Sequence, residues 1–143
     1  IVKGILHPLD AINAIDCGAD GIVVSNHGGR ALDGALAPLQ ALPAIVAAVS
    51  GRARILLDGA VIRGSDVVKA IALGADAVMV GRAPLWGVAA GGEAGVALAL
   101  ATYRNEIDRV MAYLGCRSIA EIHRDLLYHE GPHATAVFKR SNI

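Results

Sequence analysis

Ser25-Asn26-His27-Gly28-Gly29-Arg30 sets a hydroxyl, an amide, an imidazole and a guanidinium in one short run, directly after the apolar stretch Gly21-Ile22-Val23-Val24. His27 can exchange a proton near neutral pH. Arg30 presents a planar fork of donors that matches a carboxylate. Gly28 and Gly29 let the backbone take positive φ or approach a flat ligand closely. The apolar stretch reads as a short, fully buried strand, and the polar run begins at its C-terminal end. That is the edge where parallel α/β folds present their reactive groups. A proton-exchanging group and a carboxylate binder at a strand end mark a candidate site.

The flanking sequence predicts elements that hold this loop in place. Residues 1–5 form a short apolar strand interrupted by Lys3, an ammonium that needs a partner if it is buried. Residues 8–17 carry helical apolar spacing, with Pro8 in the first turn and Gly18 as a stop. After the loop, residues 38–49 repeat the helical pattern, closed by Gly51, and 55–57 form the next strand. Asp58-Gly59-Ala60-Val61-Ile62-Arg63-Gly64 follows as a loop, and Ser65 is placed to cap a helix running through Ala72. A fourth strand over 77–80 delivers Gly81-Arg82 at the same edge. A long amphipathic helix runs from Gly92 or Glu93 to Leu114, and Ser118 with Glu121 forms a capping box for a shorter one. The tail from Gly131 reads as irregular.

An internal repeat sharpens this order. DAINAIDCGAD, ending at Asp20, returns as DVVKAIALGAD, ending at Asp76, and each copy enters a strand. Four consecutive βα units of uniform hand result. They suit part of an eight-unit barrel, and four strands cannot close one alone, so strand edges are left open. A doubly wound sheet fits the periodicity as well.

A chain of 143 residues supports one domain. With 55% apolar and 18% charged residues it is not disordered in composition. Lys plus Arg and Asp plus Glu stand at 13 each, which removes any electrostatic case for nucleic acid or an anionic membrane as partner. Cys17 and Cys116 lie far apart without metal-ligand spacing, so no metal site or disulfide is expected, and Cys17 reads as a small core residue. No signal peptide is visible, and no uncharged apolar run reaches about eighteen residues, although 83–92 is locally apolar. A reducing, cytoplasmic setting is expected. Ile1 opens in mid-strand without an initiator Met, as a piece of a longer chain would.

Ser25-Asn26-His27-Gly28-Gly29-Arg30, followed by Leu32-Asp33-Gly34, resembles the active-site signature of the FMN-dependent 2-hydroxy-acid oxidases and dehydrogenases, which include glycolate, lactate and mandelate oxidising enzymes. The resemblance runs to about Leu127. It implies a single FMN-binding domain over 1–143: the C-terminal half, strands five to eight, of a (β/α)8 TIM barrel with C-terminal helices. It implies oxidation of a small 2-hydroxy acid to a 2-oxo acid, with His27 as general base and Arg30 on the substrate carboxylate. Lys3 would lie beside the flavin ring, Ser25 would hydrogen-bond it, and Asp58, Gly59 and Ala60 would line the cofactor. Gly81 and Arg82 would hold its phosphate. His7, His123, His129 and His133 are read as ordinary structural histidines.

Three positions depart from the family pattern: Ala31 stands where glutamine is usual, Ala60 where a second glycine is, and Ile62 where an arginine is. Arg63 lies one residue late, which turns its side chain by about 100° at a helix start. Ala60 must adopt whatever backbone angles a glycine would take. Without the resemblance, Lys3 is a strand-end lysine, Arg30 an exposed loop arginine and Ser25 a turn residue. A second reading is therefore a catalytically idle half-barrel that binds phosphate or flavin, or assembles with another half. Open strand edges predict a homo-oligomer or pairing with the N-terminal half-barrel.

Overall fold

The computed structural model describes residues 1–128, as a four-stranded parallel sheet with helices on one face. Strands β1 (Val2–Ile5), β2 (Gly21–Val24), β3 (Arg54–Leu57) and β4 (Ala77–Val78) lie side by side in chain order, each paired parallel with the next. Sequential parallel strands with helical crossovers match the βα repeat expected from sequence. The order is that of consecutive units, with no reversal of direction across the sheet.

Alternation along the strands separates two faces. Ile22, Val24, Ile55 and Leu57 point to the helices and form the main core with Ala11, Ala41, Leu42 and Ile45. Each fully buried Val, Leu or Ile side chain contributes about 1.5–3 kcal/mol. Lys3, Val23, Leu56 and Ala77 stand in register on the opposite face. Helix α1 (Pro8–Asp16) packs on α2 (Pro38–Val49), and α3 (Gly64–Ala72) packs on α4 (Arg82–Leu114).

The repeat is exact in its hydrogen bonds. After α1, Cys17, Gly18 and Ala19 donate to the carbonyls of Asn13, Ile15 and Ala14 at 3.0, 2.9 and 3.0 Å. After α3, Leu73, Gly74 and Ala75 donate to Lys69, Ile71 and Ala70 at the same three distances. Gly18 and Gly74 take φ of 96° and 102°, the left-handed turn that ends each helix.

Several expectations are corrected. Cys17 is exposed, not a core residue. It occupies the position of the buried Leu73 in the second copy, but among the described residues α1 packs mainly against α2 and the first two strands, whereas α3 is covered by α4. β4 stops at Val78 rather than residue 80, although Met79 still donates to the Leu57 carbonyl at 2.8 Å. Ser65 does not cap α3: the helix begins at Gly64, and Asp66 accepts the amides of Ile62 and Arg63 at 3.0 and 2.9 Å. The capping box expected at Ser118 does not form: its side chain caps no backbone amide, only the single 3-10 turn Ile119–Glu121 follows, and Glu121 Oε2 accepts the Arg117 amide at 3.0 Å instead.

Helix α4 contains the long helix expected from Gly92 or Glu93 onward, together with an earlier limb over 82–90. Gly91 and Gly92 break it, with φ of −163° and 56°. The limbs fold against one another so closely that a Cβ on Gly87 would meet the Gly95 carbonyl oxygen at 2.6 Å. By length and composition α4 is apolar enough to cross a bilayer, at a mean hydropathy of 1.3, but the break falls inside it. Leu85, Trp86, Val88 and Leu98 on this helix are exposed. His129, His133 and the tail from Gly131 lie outside the described residues.

Candidate active site

The C-terminal ends of the strands deliver their loops to one edge. From β1, the Lys3 ammonium donates to Ser25 Oγ at 2.8 Å and pairs with Asp58 Oδ2, so one cation ties together β1, β2 and β3. This is the partner that a lysine inside an apolar strand requires. Ser25 is 1% exposed and lies behind Lys3, its oxygen also accepting the His27 amide at 3.1 Å. The other oxygen of Asp58, Oδ1, is buried with no hydrogen-bond partner among the described residues.

The loop after β2 turns left-handed for three residues: His27, Gly28 and Gly29 have φ of 56°, 69° and 75°. The two glycines behave as their type allows, whereas His27 is held there against its own preference. Asn26 sets the turn, its side-chain oxygen accepting the Gly28 amide and its carbonyl the Gly29 amide, both at 3.0 Å. The turn throws the imidazole of His27 across Gly4 of β1. A Cβ at Gly4 would stand 2.9 Å from His27 Cε1. Gly4 was not singled out from sequence, though a lone glycine inside a strand signals a bulge or a close approach. Here both occur, with φ of 100° and a register shift between Lys3 and Ile5.

The loop after β3 faces this one. Gly59 has φ of 96°, and a Cβ there would meet Asn26 Oδ1 at 2.9 Å. Ala60 has φ of 57°, a left-handed angle that suits the glycine of the family pattern better. Ile62 is 57% exposed, and the Arg63 guanidinium turns away to Glu106 of α4, with Nη2 2.6 Å from Oε1. Arg63 therefore does not replace the arginine missing at 62. Glu106 also accepts the Gly64 amide at 2.6 Å, and the Tyr103 hydroxyl donates to the Val61 carbonyl at 2.8 Å. The Gly64 amide, with the Arg63 guanidinium, holds the Glu106 carboxyl below its ordinary value. Burial, with the carboxylates of Asp66 and Glu106 nearby, pushes the Tyr103 phenol up. Neither residue stands out in sequence, because their partners, the Val61 and Gly64 backbone and the Arg63 guanidinium, lie some forty positions away.

Arg82 opens α4 after Gly81, and its guanidinium reaches back over the β2 loop, Nη2 lying 3.3 Å from where a Gly28 Cβ would be. An open cleft of about 780 Å³ lies between these loops. Lys3, His27, Arg30, Asp58 and Arg82 border it, and Gly59, Ala60 and Gly81 supply backbone to its walls. Met79, Leu85 and Trp86 add an apolar side that sequence reading did not place there. Of the remaining histidines within the described residues, His7 Nδ1 accepts the Leu9 amide at 3.2 Å to cap α1, and His123 is exposed, 3.9 Å from Asp125.

At the opposite edge, Asp76 accepts the Ile55 amide at 2.8 Å and pairs with Arg54 at 2.7 Å. These contacts, the amide first, hold its carboxyl below the ordinary aspartate value.

L-lactate oxidase of Nostoc sp. is 52% identical over 128 residues, covering 90% of this chain and 35% of that protein. L-lactate dehydrogenase of Pseudomonas entomophila is 54% identical over 130 residues, covering 91% and 34%. The structure of mandelate oxidase with (S)-4-hydroxymandelic acid superposes with a TM-score of 0.82 at 51% identity, over 85% of this chain and 34% of that one. A mutant mandelate oxidase with a monooxide FMN adduct gives 0.81 at 51% identity, over 85% and 39%. The chain thus spans about a third of the length of these relatives. The family profile described as FMN-dependent dehydrogenase matches residues 1–129, and the chain belongs to that family.

Proposed function

We propose that this chain is strands five to eight of a (β/α)8 barrel and forms the flavin-binding half of an enzyme that oxidises a small 2-hydroxy acid to a 2-oxo acid. One observation carries the reading: Lys3 from β1, His27 and Arg30 from the loop after β2, and Arg82 after β4 border a single cleft at the C-terminal edge of the sheet. Lactate and mandelate, the substrates in the names of the relatives, are 2-hydroxy acids.

The residues present fit FMN. The buried, unpartnered Asp58 Oδ1 calls for a donor, which a ribityl hydroxyl supplies. Gly59 and Gly28 have no Cβ, which lets Asn26 and the Arg82 guanidinium close up against the backbone of the cleft wall. The cleft volume lies within the range of about 300–1,000 Å³ usual for small-molecule sites. When bound, FMN would accept the two electrons and one of the two protons released as the C2 carbinol becomes a carbonyl. Arg30 holds the substrate carboxylate and orients C2. His27 takes up the proton that leaves the substrate, its ring fixed over Gly4 by the left-handed turn. Lys3 places positive charge where negative charge develops, and its contacts with Ser25 and Asp58 hold it at the cleft wall. Arg82 and the start of α4 serve the phosphate.

The outer edges of β1 and β4 pair with no strand among the described residues, and the apolar side chains of α4 are exposed. An N-terminal half-barrel, or a second copy, would cover them. A cytoplasmic setting accompanies the reading, since free Cys17 and Cys116 require no oxidising compartment.

Trp86 is the one tryptophan of the chain and lines the cleft, so it reports occupancy directly. Titration with FMN should quench its fluorescence, Arg82→Ala should weaken that quenching, and a 2-hydroxy acid added anaerobically should bleach the visible flavin band. An idle half-barrel is the second reading, favoured by Ile62 and by the engagement of Arg63 with Glu106. Quenching by FMN without bleaching by any 2-hydroxy acid would support it, and no quenching at all would remove the flavin assignment.

A further inference from the structure

The 61–64 segment, which forms part of the cleft wall, is fastened from outside by two residues of α4. Tyr103 and Glu106 stand three apart, on one face of the helix. The Tyr103 hydroxyl holds the Val61 carbonyl at 2.8 Å. Glu106 holds the Gly64 amide and the Arg63 guanidinium, each at 2.6 Å. Contact is closest at Gly64, where a Cβ would lie 2.5 Å from Glu106 Cβ and 2.6 Å from the Ile107 amide nitrogen. Asp66 takes the amides of Ile62 and Arg63 from the other side.

All three amides of 62–64 are therefore bound within the protein, and the Arg63 charge is neutralised away from the cleft. Ile62 and Val61 line the cleft instead, as does Arg82. We propose that Tyr103 and Glu106 are positioning residues for the anionic end of the ligand: they set the 61–64 segment so that phosphate is read by Arg82 and by backbone next to Gly59, with Arg63 withheld. The inference rests on the FMN reading above and adds to it residues that never touch the cofactor.

Selectivity follows from that placement. A strut that positions the phosphate end affects FMN and spares riboflavin, which lacks the phosphate, whereas a merely structural strut affects both together. The test is Trp86 quenching by FMN and by riboflavin in Tyr103→Phe, Glu106→Ala and Glu106→Gln, with amide hydrogen exchange at Gly64 measured without flavin. In Tyr103→Phe and Glu106→Ala, FMN affinity should fall about fivefold, the equivalent of one hydrogen bond, while riboflavin affinity moves by less than about twofold. Glu106→Gln keeps an acceptor for the Gly64 amide and should restore most of the FMN preference.

Exchange at Gly64 should accelerate about fivefold in Glu106→Ala for the same reason. Parallel loss of both flavins, or no loss of either, would overturn the positioning role. Unchanged exchange at Gly64 would overturn the strut itself. An unsubstituted chain that binds neither flavin, with exchange at Gly64 still accelerated in Glu106→Ala, would refute the cofactor reading and leave the strut standing.

Discussion

Gly64→Ala tests whether the cleft loop and the helix layer are one mechanical unit. Gly64 is the first residue of α3, and its absent side chain lets α4 approach to backbone contact. An added Cβ would sit 2.5 Å from Glu106 Cβ, 2.6 Å from Ile107 N and 2.8 Å from the Glu106 carbonyl carbon. Two of those three atoms are backbone and cannot rotate aside, so the helices must separate by roughly 1 Å to restore ordinary contact. Overpacking of this kind costs about 1–3 kcal/mol, and the helix preference of Ala over Gly returns less than about 1 kcal/mol. Separation also pulls Glu106 from the Gly64 amide and from Arg63, which adds to the loss.

The expected net destabilisation is therefore about 2–3 kcal/mol, or a fall in Tm of about 5–10 °C for a chain of this size. Gly34→Ala is the control, since nothing lies within 4 Å of its added Cβ. It should change stability by less than about 0.5 kcal/mol. Urea unfolding followed by circular dichroism measures both. A Gly64→Ala protein as stable as the parent would refute the claim that α3 and α4 are in backbone contact there.

Ala60→Gly should relieve a left-handed angle that Ala adopts at a cost, partly offset by the greater freedom of Gly in the unfolded chain. A gain of about 0.5–1 kcal/mol in thermal or urea unfolding is expected, and a loss would show that Ala60 is not strained. Ile62→Arg supplies a second guanidinium at the cleft, so the FMN affinity should rise at least about tenfold relative to riboflavin, with the gain shrinking as salt is added. Acid should destabilise the fold through Glu106 and Asp76. Both have folded pKa values below their ordinary values of 4.5 and 3.8, so their stabilisation is present above those values and is lost as pH falls through the depressed ones. Tm measured from pH 6 to about pH 2 should drop most steeply below about pH 4.5, and Glu106→Gln should flatten the upper part of that drop. At the other end, the raised Tyr103 pKa makes stability fall as pH climbs above 10 through the higher folded value, and Tyr103→Phe should remove that component.

What sequence determined by itself was local and periodic. The alternation of apolar runs placed three strands within a residue or two and α2 at its observed bounds, because strand and helix periods are written in nearest neighbours. The repeat ending at Asp20 and Asp76 foretold two turns that close with the same three hydrogen bonds. The run from Ser25 to Arg30 picked out a loop whose His27, Gly28 and Arg30 border the cleft, and Ala60 was already marked for a backbone angle suited to glycine.

Tertiary structure alone decided which distant groups meet. Lys3 could have ended in solvent, but parallel register brings it against Ser25 and Asp58. His27 takes its orientation from Gly4, two strands' worth of chain away, and Arg63 loses its claim on the cleft to Glu106, forty-odd residues on. Cys17 and Leu73 hold equivalent places in the repeat and end in opposite environments, since burial depends on what packs over a helix rather than on the helix itself. Contacts of this range carry no periodic trace in the chain: they exist only once the sheet has set the distances between its loops.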